Sequence, residues 1–108
     1  MREKKILPNI MLTNQLTDYV KSETIKTQKD FERVIEDLYI YCDKFLARNK
    51  KPGMKNRQIR KILAVIYASW DTMVERLRSE KYLVTNMIQE GSYKTMLELQ
   101  AKQKGLIK

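Results

Sequence analysis

The stretch RNKKPGMKNRQIRK, residues 48–61, contains the side chains of this protein that are best suited to bind an anion. Seven of its fourteen residues are Lys or Arg, and none is acidic. Lysine offers a compact charge, and arginine offers a planar fork that matches the oxygens of a phosphate. The Pro52-Gly53 pair predicts a tight turn in the middle of the stretch. The residue types and their spacing therefore predict a cationic surface where the chain reverses.

This stretch also accounts for most of the charge of the chain. The formal net charge is +9, and residues 44–70 carry eight bases and no acid. Residues 1–43 carry seven bases and eight acids, and residues 71–108 carry seven bases and five acids. Such asymmetry favours an anionic partner, which would be a nucleic acid, a membrane surface or an acidic protein.

The residues needed for most catalytic chemistry are missing from the sequence. There is no histidine, one cysteine (Cys42), and three isolated glycines. This composition excludes the usual zinc sites, a histidine-activated nucleophile and a glycine-rich phosphate loop. Two carboxylate pairs at helical spacing, Glu32/Glu36 and Asp71/Glu75, could serve a hard metal, but solvated helix faces explain them better. We therefore predict a protein that is not an enzyme and has no cofactor and no metal site.

The apolar residues that must position the basic stretch recur at helical spacing. Thr27 and Asp30 resemble a capping box at the start of a helix. The run ILAVIY could be a buried strand, but the helical spacing continues on both sides of it, so we predict a helix there. The predicted elements of this single domain are an irregular arm at 1–11, helices at about 12–23, 28–49 and 56–81, a terminal helix with Ser92 as N-cap, and a frayed tail at 100–108.

The predicted fold class is therefore all-α, a small bundle of about four helices. The middles of the second and third helices are apolar nearly all round, so several neighbours must cover them. Either four helices pack within one monomer or a second copy completes a homodimer, and both arrangements stay open. The side chains predicted at the centre of the core are Leu38, Cys42, Ile62, Leu63 and Ile66.

The start of the third helix is the unusual part of the basic stretch. Positive charge at the N-terminus of a helix is disfavoured by about 0.3–1 kcal/mol per exposed residue. A bound phosphate would offset this cost, because the first helical turn presents unpaired N–H groups. Ala64 and Ala68 form a small face on the same helix, against which a ligand or a neighbouring helix could lie. The predicted nucleic-acid-binding residues are Arg48, Lys50, Lys51, Lys55, Asn56, Arg57, Arg60 and Lys61.

Two functions fit these features, and we favour the first of them. The first is a small, basic, non-catalytic protein that binds DNA or RNA mainly through phosphates. The alternative is a protein-binding regulator, inhibitor, immunity-type or assembly module that docks on an acidic partner surface. No apolar run approaches the roughly 20 residues of a membrane span. The single cysteine favours a cytoplasmic setting, and the composition, rich in Lys, Ile and Asn, favours an AT-rich microbial, plasmid or phage source.

Overall fold

Four helices form the described part of the chain, which comprises residues 6–80 and 92–105 of a computed structural model. They are α1 (Ile10–Ser22), α2 (Gln28–Asn49), α3 (Asn56–Ser79) and α4 (Ser92–Gln103), and these residues include no strand. The prediction of an all-helical bundle is confirmed, and ILAVIY lies within α3. Residues 81–91 lie outside the described residues, and so do residues 1–5 of the predicted arm and residues 106–108 of the predicted tail.

The first helix begins two residues earlier than predicted because Asn9 caps it. The Asn9 side-chain oxygen accepts a hydrogen bond from the Leu12 N–H at 2.9 Å. The Asn9 N–H donates to the hydroxyl of Ser69 on α3, also at 2.9 Å. This pair of bonds fixes the start of α1 against the middle of α3. The hydroxyls of Thr13 and Thr17 on the buried face of α1 donate to carbonyls one turn back, which lets them be buried at little cost.

The second helix contributes a narrow buried stripe. Its fully buried residues recur at every fourth position: Val34, Leu38, Cys42 and Leu46. Helix α3 contributes a longer stripe that includes Leu63, Ile66 and Trp70. The core prediction is confirmed for Leu38, Cys42, Leu63 and Ile66, all at most 2% exposed. It is wrong for Ile62, which is only half-buried at the edge of the core.

The three consecutive apolar residues in the middle of α2 have different surroundings. Tyr39 stacks on Trp70 with ring centroids 5.4 Å apart, and Tyr41 meets Tyr19 of α1 edge to face at 5.3 Å. Ile40 is 43% exposed. Helix α2 is therefore covered by α1 on one side and by α3 on another, while Ile40 lies on a side that reaches solvent. Within one chain the expected cover therefore extends to Tyr39 and Tyr41 but not to Ile40.

The terminal helix packs on both α2 and α3. Leu97 and Ala101 are buried in the core, and Lys104 makes an ion pair of 2.6 Å with Asp43 of α2. Ser92 is the first residue of α4 and not the residue before it. The helix also continues to Gln103, into the tail that we expected to fray from residue 100. None of the helices that the structure describes is long and apolar enough to cross a bilayer.

Candidate nucleic-acid interface

The turn between α2 and α3 is closed by its own hydrogen bonds. Gly53 has a φ of 81°, which only glycine adopts without strain. The ring of Pro52 fixes the φ of Pro52 itself. The Met54 N–H donates to the Lys51 carbonyl at 3.3 Å, as in a β-turn with proline and glycine at its centre. Met54 packs partly against the core. The predicted turn is therefore a defined structure that holds two basic helix ends together.

At the end of α2, the bases agree with the helix dipole. Arg48 lies in the last turn, and Lys50 is the C-cap residue, whose N–H donates to the Leu46 carbonyl at 2.8 Å. Cations near the last carbonyls of a helix are stabilising. The charges on this side of the turn are explained without a ligand.

At the start of α3, the bases oppose the helix dipole. Lys55 is the N-cap residue, and its side chain makes no capping hydrogen bond. Gln58 reaches back so that its side-chain oxygen accepts from the Lys55 N–H at 2.9 Å. The first turn of α3 contains no acidic residue. The end of the helix that attracts anions is therefore surrounded by cations of the protein itself.

The predicted interface residues lie together around this turn. Among them Lys50 is half-buried, and the others are exposed: Arg48, Lys51, Lys55, Asn56, Arg57, Arg60 and Lys61. Their exposure means that a partner could reach them without a change in the fold.

The basic residues of this surface differ in whether they have an acidic neighbour. Arg60 makes an ion pair with Glu98 of α4. Among the residues that the structure describes, no acid pairs with the remaining six: Arg48, Lys50, Lys51, Lys55, Arg57 and Lys61. We call these six residues the basic turn. Arg60 contributes less to this surface than the sequence indicates, because Glu98 already compensates part of its charge.

Two further side chains have structural tasks that the sequence left open. The Gln58 side chain is held at the helix N-terminus by the Lys55 N–H. The sulfur of Met54 accepts from the Lys51 N–H at 3.3 Å. The spacing of Lys55 and Gln58, an N-cap and its third helical position, could have indicated the first contact. No sequence pattern indicates the second.

The small face of α3 is occupied by a neighbouring helix. Around Ala64, Arg60 pairs with Glu98 and the Tyr67 hydroxyl donates to the Lys94 carbonyl at 3.3 Å. Both partners belong to α4, and Ala64 itself is half-buried. Of the two interpretations of the Ala64–Ala68 face, the packing of a neighbouring helix is the one that these contacts favour.

Cys42 and Asp71, two other groups that could support chemistry, both have contacts within the fold. Cys42 is fully buried, and burial raises the pKa of its thiol far above the ordinary value, so the sulfur stays protonated. The described residues contain no group of three or more His, Cys, Asp or Glu side chains that could hold a metal ion. Asp71, of the second carboxylate pair, lies 3.9 Å from the ammonium of Lys94.

Comparison of the sequence with protein-family models finds no match, and comparisons with curated proteins and with solved structures find none either.

Proposed function

We propose that this protein is a small non-catalytic nucleic-acid-binding protein that contacts phosphates through the basic turn. The observation that supports this most is the cluster of six basic side chains without acidic partners among the described residues, around a hydrogen-bonded Pro-Gly turn. A phosphate placed there would meet the cations and the N-terminal end of α3 together.

The chemistry of the basic turn favours backbone recognition over base recognition. Lysine and arginine side chains bind phosphate oxygens whatever the base sequence of the nucleic acid. Gln58, which could contact a base, is already engaged by the Lys55 N–H. The proposed binding therefore has little sequence preference and falls steeply with salt concentration, because each neutralised phosphate releases a counterion.

The direct test is binding to labelled duplex DNA, single-stranded DNA and RNA, measured by fluorescence anisotropy at several salt concentrations. The informative variant is Arg57→Glu/Lys61→Glu, since both side chains are exposed on α3 beside the turn. We expect a large decrease in affinity. The plot of log affinity against log salt should flatten by about one unit for each phosphate that the variant no longer neutralises.

A matched control exists at the other end of α2. Lys26→Glu/Lys29→Glu makes the same change in net charge, and both lysines are exposed. Lys29 is the second residue of α2, a helix of 22 residues, so at 1.5 Å per residue it lies about 30 Å from the last residue of that helix. The control should reduce binding much less.

Two outcomes would reject the proposal in different ways. Equal decreases in affinity in both double variants would mean that only net charge matters and that the basic turn is not a local site. If the unaltered protein binds no nucleic acid at about 50 mM salt, nucleic-acid binding itself is rejected. The same charges would then be assigned to contact with an acidic protein surface.

A further inference from the structure

A second surface, next to the basic turn, is apolar where the chain enters α1. Ile6, Leu7, Ile10 and Met11 are 46%, 70%, 69% and 82% exposed. We call these four residues the N-terminal apolar patch. At this level of the bundle, Leu12 and Leu16 are the side chains that α1 buries in the core. A cluster of exposed large apolar side chains that the core does not use is typical of an interaction site.

The patch adjoins an open groove of about 650 Å³ between the start of α1 and the end of α2. Met11 belongs to both features. The groove is lined by apolar side chains, four side-chain amides and one guanidinium. The lining includes Met11, Asn14, Phe45 and Arg48.

The charge of the groove restricts what can occupy it. Within the described part of the chain, Arg48 is the one ionisable residue that lines the groove, and no acid does so. Arg76 of α3 donates to the side-chain oxygen of Asn14 at 2.7 Å, which brings a second guanidinium to this lining residue. An occupant with carboxylates beside its apolar side chains would complement the guanidinium of Arg48.

A second copy of this chain complements the groove poorly. A symmetric dimer through the groove would bring Arg48 of one copy towards the same groove of the other, where none of the described lining residues is acidic. The two chains would also meet with a net charge of +9 each. Like charges across an interface disfavour association.

We propose that the groove and the N-terminal apolar patch bind an amphipathic helix of a partner protein whose apolar stripe is flanked by Asp or Glu. The apolar side chains of that helix lie on Met11, Ile10 and Phe45, and its carboxylates reach Arg48. This is the helix-in-groove mode of recognition. The inference goes beyond nucleic-acid binding and does not depend on it, because the basic turn and this groove share only Arg48.

The test uses a designed fluorescent peptide of about 18 residues, or five helical turns, with leucines along one stripe and glutamates beside it. Binding is measured by anisotropy, and the contacted residues are located from backbone amide shifts in NMR spectra. The altered protein is Ile10→Ser/Met11→Ser, which removes exposed side chains and leaves the core intact. The control protein is Ile40→Ser, an exposed apolar residue of α2 that does not line the groove. Control peptides carry lysine for glutamate or scramble the leucine stripe.

We expect the acidic peptide to bind the unaltered protein and Ile40→Ser alike, and Ile10→Ser/Met11→Ser at least about tenfold more weakly. Both control peptides should bind more weakly than the acidic one. The proposal is overturned if the acidic peptide does not bind at about 1 mM, if the shifts map away from the groove, or if the lysine peptide binds as well. Self-association that Ile10→Ser/Met11→Ser abolishes would assign the groove to a second copy instead. Because these serine variants leave the basic turn unchanged, nucleic-acid binding is scored separately with the same proteins.

Discussion

The N-termini of α2 and α3 are built in opposite ways, although each is followed by a long helix with a buried stripe. At α2, the Thr27 hydroxyl accepts from the Asp30 N–H at 3.1 Å, and the Asp30 carboxylate accepts from the N–H groups of Thr27 and Lys26 at 3.2 and 3.1 Å. This end of the helix supplies its own acceptors and its own negative charge.

At α3, the N-cap residue is Lys55, whose side chain has no acceptor, and the first turn has no acid. Gln58 provides a single side-chain acceptor. The comparison indicates that the α3 N-terminus gives up stability that the α2 N-terminus keeps. Sites that bind a ligand often do so, since a group suited to the ligand is rarely the one that stabilises the free protein. Substitutions at the two helix starts should therefore differ in sign and in size.

The largest effects should come from the buried sides, where the two helix starts are alike. Ile59 near the start of α3 and Val34 near the start of α2 are each at most 2% exposed. Ile59→Ala should cost about 2–5 kcal/mol of unfolding free energy, because it removes buried methyl groups and leaves a cavity. Val34→Ala should also destabilise the protein, by a smaller amount because fewer atoms are removed. Urea unfolding measures both, and a cost below about 0.5 kcal/mol at Ile59 would mean that the start of α3 is not anchored in the core.

Substitutions of the N-cap residues should change stability in opposite directions at the starts of α2 and α3. Thr27→Ala should cost about 0.5–2 kcal/mol, because it removes the acceptor for the Asp30 N–H. Lys55→Asp should stabilise the protein by an amount of the same order, because it introduces a capping oxygen at a position whose side chain has none. Thermal and urea unfolding of both variants measure the difference. A decrease in stability in Lys55→Asp would contradict the view that the α3 N-terminus lacks a good cap.

Single charge reversals should have smaller effects on stability. Arg57→Glu should stabilise the free protein by about 0.3–1 kcal/mol, because an acid at a helix N-terminus is favourable. Lys29→Glu occupies a similar place in α2 but lies beside Asp30 and Glu32, so its gain should be less. Differential scanning calorimetry of the two variants decides the order. If Lys29→Glu stabilises more than Arg57→Glu, the excess of positive charge at α3 has no energetic cost.

The smallest effect should be a difference in acid sensitivity between the two ends. The backbone N–H groups of Lys26 and Thr27 hold the pKa of Asp30 below its ordinary value. Its folded pKa is therefore lower than its unfolded pKa, so its contribution to stability is present above about pH 4 and disappears as the pH falls through the folded value. The first turn of α3 has no carboxylate to titrate. Amide exchange followed by NMR should show that the start of α2 loses protection as the pH is lowered, at a higher pH than the start of α3 does. The substitution Asp30→Asn should remove this difference.

Local patterns in the sequence determine much of this architecture. The capping box at Thr27 and Asp30, the Pro52-Gly53 turn and the start of α3 at Asn56 all lie where the sequence predicts them. Each depends on hydrogen bonds or dihedral preferences within a few residues. The basic turn is also visible in the sequence, since it lies on one continuous stretch.

Other features depend on the way the helices pack, and the sequence does not show them. Ile40 and Ile62 have the hydrophobicity of core residues, yet one is exposed and the other is half-buried. Arg60 has the same charge as Arg57, but of these two only Arg60 faces an acid on the described part of α4. Helical periodicity places a side chain on a face, whereas burial or pairing depends on which helix covers that face. The groove beside Arg48 likewise forms only because the start of α1 and the end of α2, far apart in the chain, meet there.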